Sequence, residues 1–437
     1  MNVVIIEHIS ILKERIKFLI SRITTSRQAI RSVAALLSSN IASSLFTALG
    51  GLLVARFVGP ELTGSFRAYT IPLTYLMFLH LGTFDGLVRQ IPFYVGKELP
   101  EKIDGLAAAA GFFNIRLSVV VSIGFVVCGA YSAVHHNLQG VIGWLSQVIC
   151  CWGVFYGGYL TSTYRTLHHF ATLARIQMVQ TMLTFAAVFS LPFLGFYGLC
   201  ARAAFPSLLG VWLYHRNRPL KVDYHHDTAA LKELIKIGFP LGFWGNLYTS
   251  VWIATESAAV LSLNGVSALG LYSVATVMAG AVNSLPMAVS QVLAPRVVTA
   301  YARDGSVRNA NARIFWVTAG LTGFMILLAC GGSLLLDVLV PLIMPKYVAG
   351  IAAMKICLWF PVVQATHLPL NTLFAKGRPV LYGRNIIAGW IVFAVTTYLL
   401  HPVIGGLLAV VTGSLLGRIA RTIVIYADLA ALARQET

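Results

Sequence analysis

Residues 33–64 read VAALLSSNIASSLFTALGGLLVARFVGPELTG. From Val33 to about Phe57 no charge appears before Arg56. About 20 apolar residues cross the hydrocarbon of a bilayer, so this stretch is a membrane-spanning helix. The turn Gly59-Pro60-Glu61-Leu62-Thr63-Gly64 ends it. Asn40, Ser43, Ser44 and Thr47 stand three or four apart and share one face. A spanning helix with one polar stripe turns it inward, toward a cavity or a partner helix.

The stretch recurs about 206 residues later. Asn40 lands on Asn246, Ser43 on Thr249 and Ser44 on Ser250. The turn Gly59-x4-Gly64 lands on Gly265-x4-Gly270. A weaker echo pairs Leu173-Ala174-Arg175-Ile176 with Tyr382-Gly383-Arg384-Asn385. Matches in order at nearly one offset imply two parallel halves.

The 437-residue chain is 57% hydrophobic and 11% charged, against about 25% charged in a soluble domain. It reads as an all-α, polytopic integral membrane protein. Its net charge of +17 fits cytoplasmic loops facing anionic lipid better than nucleic acid. The cysteines, all inside apolar runs, form neither a zinc spacing nor a disulfide framework. No cleavable signal is visible. Ile5, Ile9, Leu12, Ile16, Leu19 and Ile23 instead form a stripe, and the segment 1–32 reads as an amphipathic helix on the cytoplasmic membrane surface.

Apolar runs mark about twelve spans. They lie near 33–57, 68–88, 108–134, 141–163, 176–195, 198–214, 238–262, 268–292, 312–336, 351–374, 386–402 and 404–426. Lys and Arg concentrate at the N-terminus and in alternate loops, near 97–104, 164–175, 215–236, 296–313 and 375–385. Positive charge stays inside, which puts both termini in the cytoplasm. The organisation expected is an N-terminal six-helix bundle over 33–215, a connecting segment over 216–236 with a surface helix capped by Asp227, a C-terminal bundle over 237–426 and a tail over 427–437.

Neither the phosphate-binding loop of ATPases nor a hydrolase or zinc-protease motif is present, so no enzyme activity is expected. The paired histidines 135–136, 168–169 and 225–226 do not converge as a metal site by sequence. The chemistry lies in charges inside apolar runs, which cost at least about 2.5–3.5 kcal/mol each to bury. Glu256 shares a face with Asn246 and Thr249. It is either a proton-coupling group, neutral when protonated, or a structural hydrogen-bond partner. Asp85 and Arg89 stand i to i+4, the spacing of a local ion pair. Arg116, Arg202, Lys355, Arg418 and Arg421 form a cationic set. Facing inward they suit an anionic substrate, because a guanidinium grips phosphate with two parallel hydrogen bonds. Facing outward they snorkel.

The run Ala55-Arg56-Phe57-Val58-Gly59-Pro60-Glu61-x-x-Gly64-x-Phe66 resembles the bacterial polysaccharide flippases of the multidrug/oligosaccharidyl-lipid/polysaccharide exporter superfamily. So do Lys236-x-Gly238-Phe239-Pro240, Leu269-Gly270-Leu271-Tyr272-Ser273-Val274-Ala275, Pro295, and Ala375-Lys376-Gly377-Arg378-Pro379 through Arg384. The resemblance implies two pseudo-symmetric six-helix bundles around a central cavity lined by spans one, two, seven and eight. It also implies flipping of undecaprenyl-diphosphate-linked oligosaccharide across the bacterial inner membrane by alternating access. The substrate-binding residues expected are Asn40, Ser44, Thr47, Arg116, Arg202, Asn246, Lys355 and Arg418, with Glu256 or Asp85 coupling H+ or Na+. Partners expected are lipid-linked oligosaccharide, membrane lipids and a polysaccharide polymerase or glycosyltransferases, without nucleic acid, cofactor or metal. Two rivals share the scaffold: a cation-coupled multidrug exporter, and a non-transporting scaffold of a polysaccharide-assembly complex.

Overall fold

The computed structural model describes residues 42–304, 307–370 and 379–435. Asn40, the amphipathic segment 1–32 and the start of the loop motif at Ala375 lie outside the described residues. Within them the chain is helical, without a strand. Nine helices are long and apolar enough to cross a membrane, beside the shorter apolar helix Ala42–Phe57.

Two of the nine are hairpins. Phe170–Arg216 breaks at Gly195, whose φ of 51° and ψ of −120° lie outside any helix. Arg202 then reaches back to the Thr184 carbonyl and Tyr214 to Gln180, pairs that straddle the glycine on antiparallel arms. The helix through Gly242–Ser290 breaks likewise at Gly265, φ 77°, and Tyr272 folds back onto Glu256. Among the described residues the fold therefore has twelve spans in order: Ala42–Phe57, Pro60–Gly96, Pro100–Val134, Leu138–Thr166, 170–194, 196–216, 228–264, 266–304, Val307–Ile343, Pro345–Ala365, Pro379–Ile404 and Gly406–Arg434. A positive φ is nearly free for glycine alone, which is why Gly265 can make this turn. The repeat is legible here: Gly59, between spans one and two, and Gly265, between seven and eight, occupy equivalent turns.

Three boundaries differ from expectation. The second span starts at Pro60, not near residue 68, because proline's fixed φ suits a first helical position. Asp227 caps as expected, accepting from the Ala229 and Ala230 amides, but its helix runs on into the seventh span instead of ending as a surface helix. The expected tail is helical to Arg434, held by Ile425, Leu429 and Leu432 in a small core.

The halves meet where glycines allow backbones to touch. A Cβ on Gly64 would fall 1.8 Å from the Val266 carbonyl oxygen, and one on Gly270 1.8 Å from that of Pro60. At the other end of the second span, a Cβ on Gly82 would meet Gly238 at 2.4 Å. One helix of the N-terminal half thus crosses two of the C-terminal half, the eighth span first and the seventh second. The first contact lies at the end of the bundle bearing the Gly59 and Gly265 turns, hereafter the turn end. The opposite end carries the basic loops.

Candidate functional site

Two connected cavities lie between the halves. The first, about 650 Å³, is a vestibule toward the basic end, lined by Ser43, Ser44 and Thr47 of span one, Gln177 and Thr181 of span five, and the eighth span. The second, about 490 Å³, is central. They share Thr47, Val277 and Gly280, so they form one path. The polar stripe on span one lines that path at Ser44 and Thr47.

The central cavity holds three guanidiniums and one carboxylate among its described lining: Arg67, Arg202, Arg418 and Glu256. Glu256 and Arg418 are already partners. Arg418 Nη2 donates to Glu256 Oε1 at 2.9 Å, with side chains 14% and 2% exposed. Tyr272 donates to Oε2 at 2.6 Å, while Trp252 Nε1 and the Ser414 hydroxyl also donate to Oε1. Arg418 Nη1 donates to Tyr248, whose hydroxyl donates to Gln364, and its guanidinium lies 4.5 Å from the Phe360 ring centre. Four donors converge on one carboxylate. Glu256 is therefore a fully hydrogen-bonded side chain rather than an isolated buried acid.

Among the described residues the other two arginines form no ion pair of their own, and the one carboxylate near Arg67, Glu256, is held by Arg418. Arg202 spends one bond, Nε to the Thr184 carbonyl at 3.2 Å. Among the described residues no hydrogen bond reaches the Arg67 guanidinium, and its Nε is buried without a partner. Asn283 Oδ1, also at the cavity, is equally orphaned. Each orphaned buried donor or acceptor costs about 1–3 kcal/mol until a ligand or water meets it. Arg67 is not among the residues expected from sequence, because a second span beginning near residue 68 excludes it. Proline at the helix start was the signal that puts Arg67 two turns inside.

Other expected site residues are elsewhere. Arg116 is not in the cavity: it is exposed on the outer side of the third span, its guanidinium 4.4 Å from the Phe112 ring centre. Lys355 is not there either, since it pairs with Asp337 of the ninth span at 2.7 Å. Asn246 turns to the second span, its Nδ2 3.0 Å from His80 Nε2, because the crossing there buries that face. Asp85 lies in the same crossing, its Oδ2 2.6 Å from where a Cβ on Gly242 would stand, outside the cavity lining. It forms no ion pair with the exposed Arg89. Arg421 is buried behind the cavity, bonded to Asn385 at 3.1 Å. Among the described residues no three His, Cys, Asp or Glu side chains gather as a metal site.

The turn end is closed over the central cavity. Tyr347, in the first turn of the tenth span, donates to the Val58 carbonyl at 3.2 Å and meets the Thr63 hydroxyl at 2.9 Å. With the Gly64–Gly270 contact, this seals that end while the vestibule leads to the other.

No protein-family model and no curated protein matches the chain. Solved structures do. A multidrug resistance MATE family transporter of the MOP superfamily, in an inward-facing conformation, aligns at TM-score 0.68 and 14% identity, over 92% of this chain and 99% of its own. The same description in an outward-facing conformation gives 0.63 and 12%, over 93% and 96%. The lipid II flippase MurJ, inward closed, gives 0.64 and 12%, over 91% and 89%. At such identities the likeness is one of fold: this is a multi-pass helical membrane protein built like these transporters.

Proposed function

We propose that the chain is a secondary transporter of the MOP superfamily that flips undecaprenyl-diphosphate-linked oligosaccharide across the bacterial inner membrane. The observation that carries this reading is the surplus of positive charge in the central cavity. Arg418 is paired with Glu256, whereas Arg67 and Arg202 line the same cavity with no ion pair of their own. A diphosphate supplies the missing anion, and planar guanidiniums bind its oxygens in pairs. The basic end is cytoplasmic in this reading. The head enters by the polar vestibule, with the lipid tail left in the bilayer, and rocking of one half against the other opens the turn end. A membrane potential is worth about 2.3 kcal/mol per charge per 100 mV, which favours outward movement of an anion from a negative interior.

The half-bundles that rock would be residues 33–215 and 237–426, and Ser44 and Thr47 would contact the sugar-phosphate head on entry. The likeness to multidrug transporters keeps an exporter of cationic drugs as the rival, but cations are repelled by this cavity. The test is binding of undecaprenyl diphosphate and, separately, of ethidium to the full chain in lipid nanodiscs. The reading requires diphosphate binding that weakens in Arg67→Gln and Arg202→Gln. Binding of ethidium alone supports the exporter. In cells, loss of the protein should accumulate lipid-linked oligosaccharide on the inner leaflet, and intact export in both variants would support the non-transporting scaffold.

A further inference from the structure

The crossing of the second and seventh spans carries a feature that the cavity does not use. Both helices are interrupted at the same level. In the second, Met77–His80 tightens to a 3-10 turn, and Leu81 and Gly82 are left-handed at φ 51° and 73° before the helix resumes at Thr83. In the seventh, Leu247–Val251 widens to a π-helix. Such interruptions cost hydrogen bonds and recur at functional sites and hinges. The two breaks touch: Asn246 Nδ2 lies 3.0 Å from His80 Nε2, Ser250 lies 3.7 Å from Met77 Sδ, and Phe78 packs on Phe243.

His80 stands at the centre. It is 4% exposed and stacked on Phe84 with ring centres 4.3 Å apart. Its Nδ1 accepts the Gly82 amide at 3.1 Å, an N–H that the break has released from the helical ladder. Both ring nitrogens face N–H groups, Gly82 at Nδ1 and Asn246 at Nε2, and an imidazolium could accept from neither, so His80 is neutral in this conformation. A proton bound to the Nδ1 lone pair would set N–H against N–H and abolish the bond. The Gly82 backbone is in close contact with Gly238, so whatever moves Gly82 moves the crossing between the halves.

The surroundings offer the displaced ring one charged partner. Asp85, one turn along the same helix, reaches the Gly82–Gly242 contact. The seventh span faces His80 with uncharged Asn246, and its Glu233 and Lys236 stand at the basic end. The third span contributes uncharged Asn114, bonded to Thr83, while its Arg116 is exposed. The fourth packs Gly158 on Phe84, and its Arg165 is exposed.

We propose that His80 is a proton-binding switch at this crossing: one proton, taken up at Nδ1, frees the Gly82 amide, turns the imidazolium to Asp85 and loosens the second span from the seventh. The inference rests on the transporter reading only for what the proton drives. The neutral ring belongs to the observed packing and the charged ring to the loosened one. The observed packing therefore loses stability as pH falls through the imidazole range.

The test is hydrogen–deuterium exchange of the full chain in nanodiscs, followed over 76–86 and 240–252 from about pH 8 to pH 5 and corrected for intrinsic exchange. The native chain should show exchange rising on acidification, with about tenfold per pH unit the limit for one linked proton. His80→Gln should show a flat profile, and Asp85→Asn a rise displaced to lower pH. A flat native profile overturns the proposal without any variant, as does a His80→Gln slope equal to the native one. An Asp85→Asn profile superimposable on the native overturns the transfer to Asp85. Diphosphate binding at neutral pH should be unchanged in His80→Gln, so failure here is separable from failure of the cavity reading.

Discussion

The two halves bring charge to the central cavity in opposite ways. The C-terminal half contributes Glu256 and Arg418 as a closed pair, with Tyr272, Trp252 and Ser414 completing the carboxylate. The N-terminal half contributes Arg67 and Arg202 without a carboxylate. A matched pair holds structure, because each charge needs the other once both have left water. A guanidinium at a cavity without an ion pair of its own leaves its donors open to a ligand or water. Under the proposed function the contrast gives architecture to one half and ligand capture to the other, and it can be broken at several points.

The largest effect is expected from Glu256→Ala. Arg418 would be left buried and unpaired, a loss of about 3–5 kcal/mol, read as a lowered unfolding midpoint in detergent. Replacing both partners with methionine should recover most of that loss, since a well-packed apolar pair often matches a buried ion pair. If Glu256→Ala is as stable as the native chain, the pair is not structural.

Arg67→Gln and Arg202→Gln should do the reverse. Each should weaken diphosphate binding by about 1.5–3 kcal/mol, the usual worth of a hydrogen bond to a charged group, and leave the unfolding midpoint in place. Isothermal calorimetry in nanodiscs would show it. Equal losses of stability in these variants and in Glu256→Ala would erase the distinction between the halves.

Tyr347→Phe removes the hydroxyl that ties the turn end to Val58 and Thr63. The closed form should lose about 0.5–1.5 kcal/mol, seen as a larger fraction of open molecules by spin-label distances between Val134 and Val403. The smallest effect concerns Asp227, outside the spans. The Ala230 amide first, then Ala229, hold its carboxyl below the ordinary value of 3.8. The cap it makes is complete above that value and is lost as pH falls through the lowered one. Amide protection over 228–231 should fall only in acid, and Asp227→Ala should show the unprotected level at neutral pH.

Much of the fold was legible because membrane spans obey a length rule and turns obey a glycine rule. Gly59 and Gly265 were found as one repeated position before any coordinate placed them. The face of a helix was harder to read. The third span is apolar nearly all round, so periodicity gave Arg116 no direction. Lys355 lacked any sequence hint of Asp337, which sits on another helix. Asn246 and Ser250 repeat the polar stripe of span one, yet the second span covers them.

Composition, spacing and proline–glycine punctuation determined that this chain crosses a membrane in twelve helices of duplicated plan, since those features act over a few residues at a time. Which charges pair and which remain open to the cavity was decided by tertiary structure alone. Glu256 and Arg418 are 162 residues apart, and only the packing of the halves brings them together and leaves Arg67 and Arg202 unmatched.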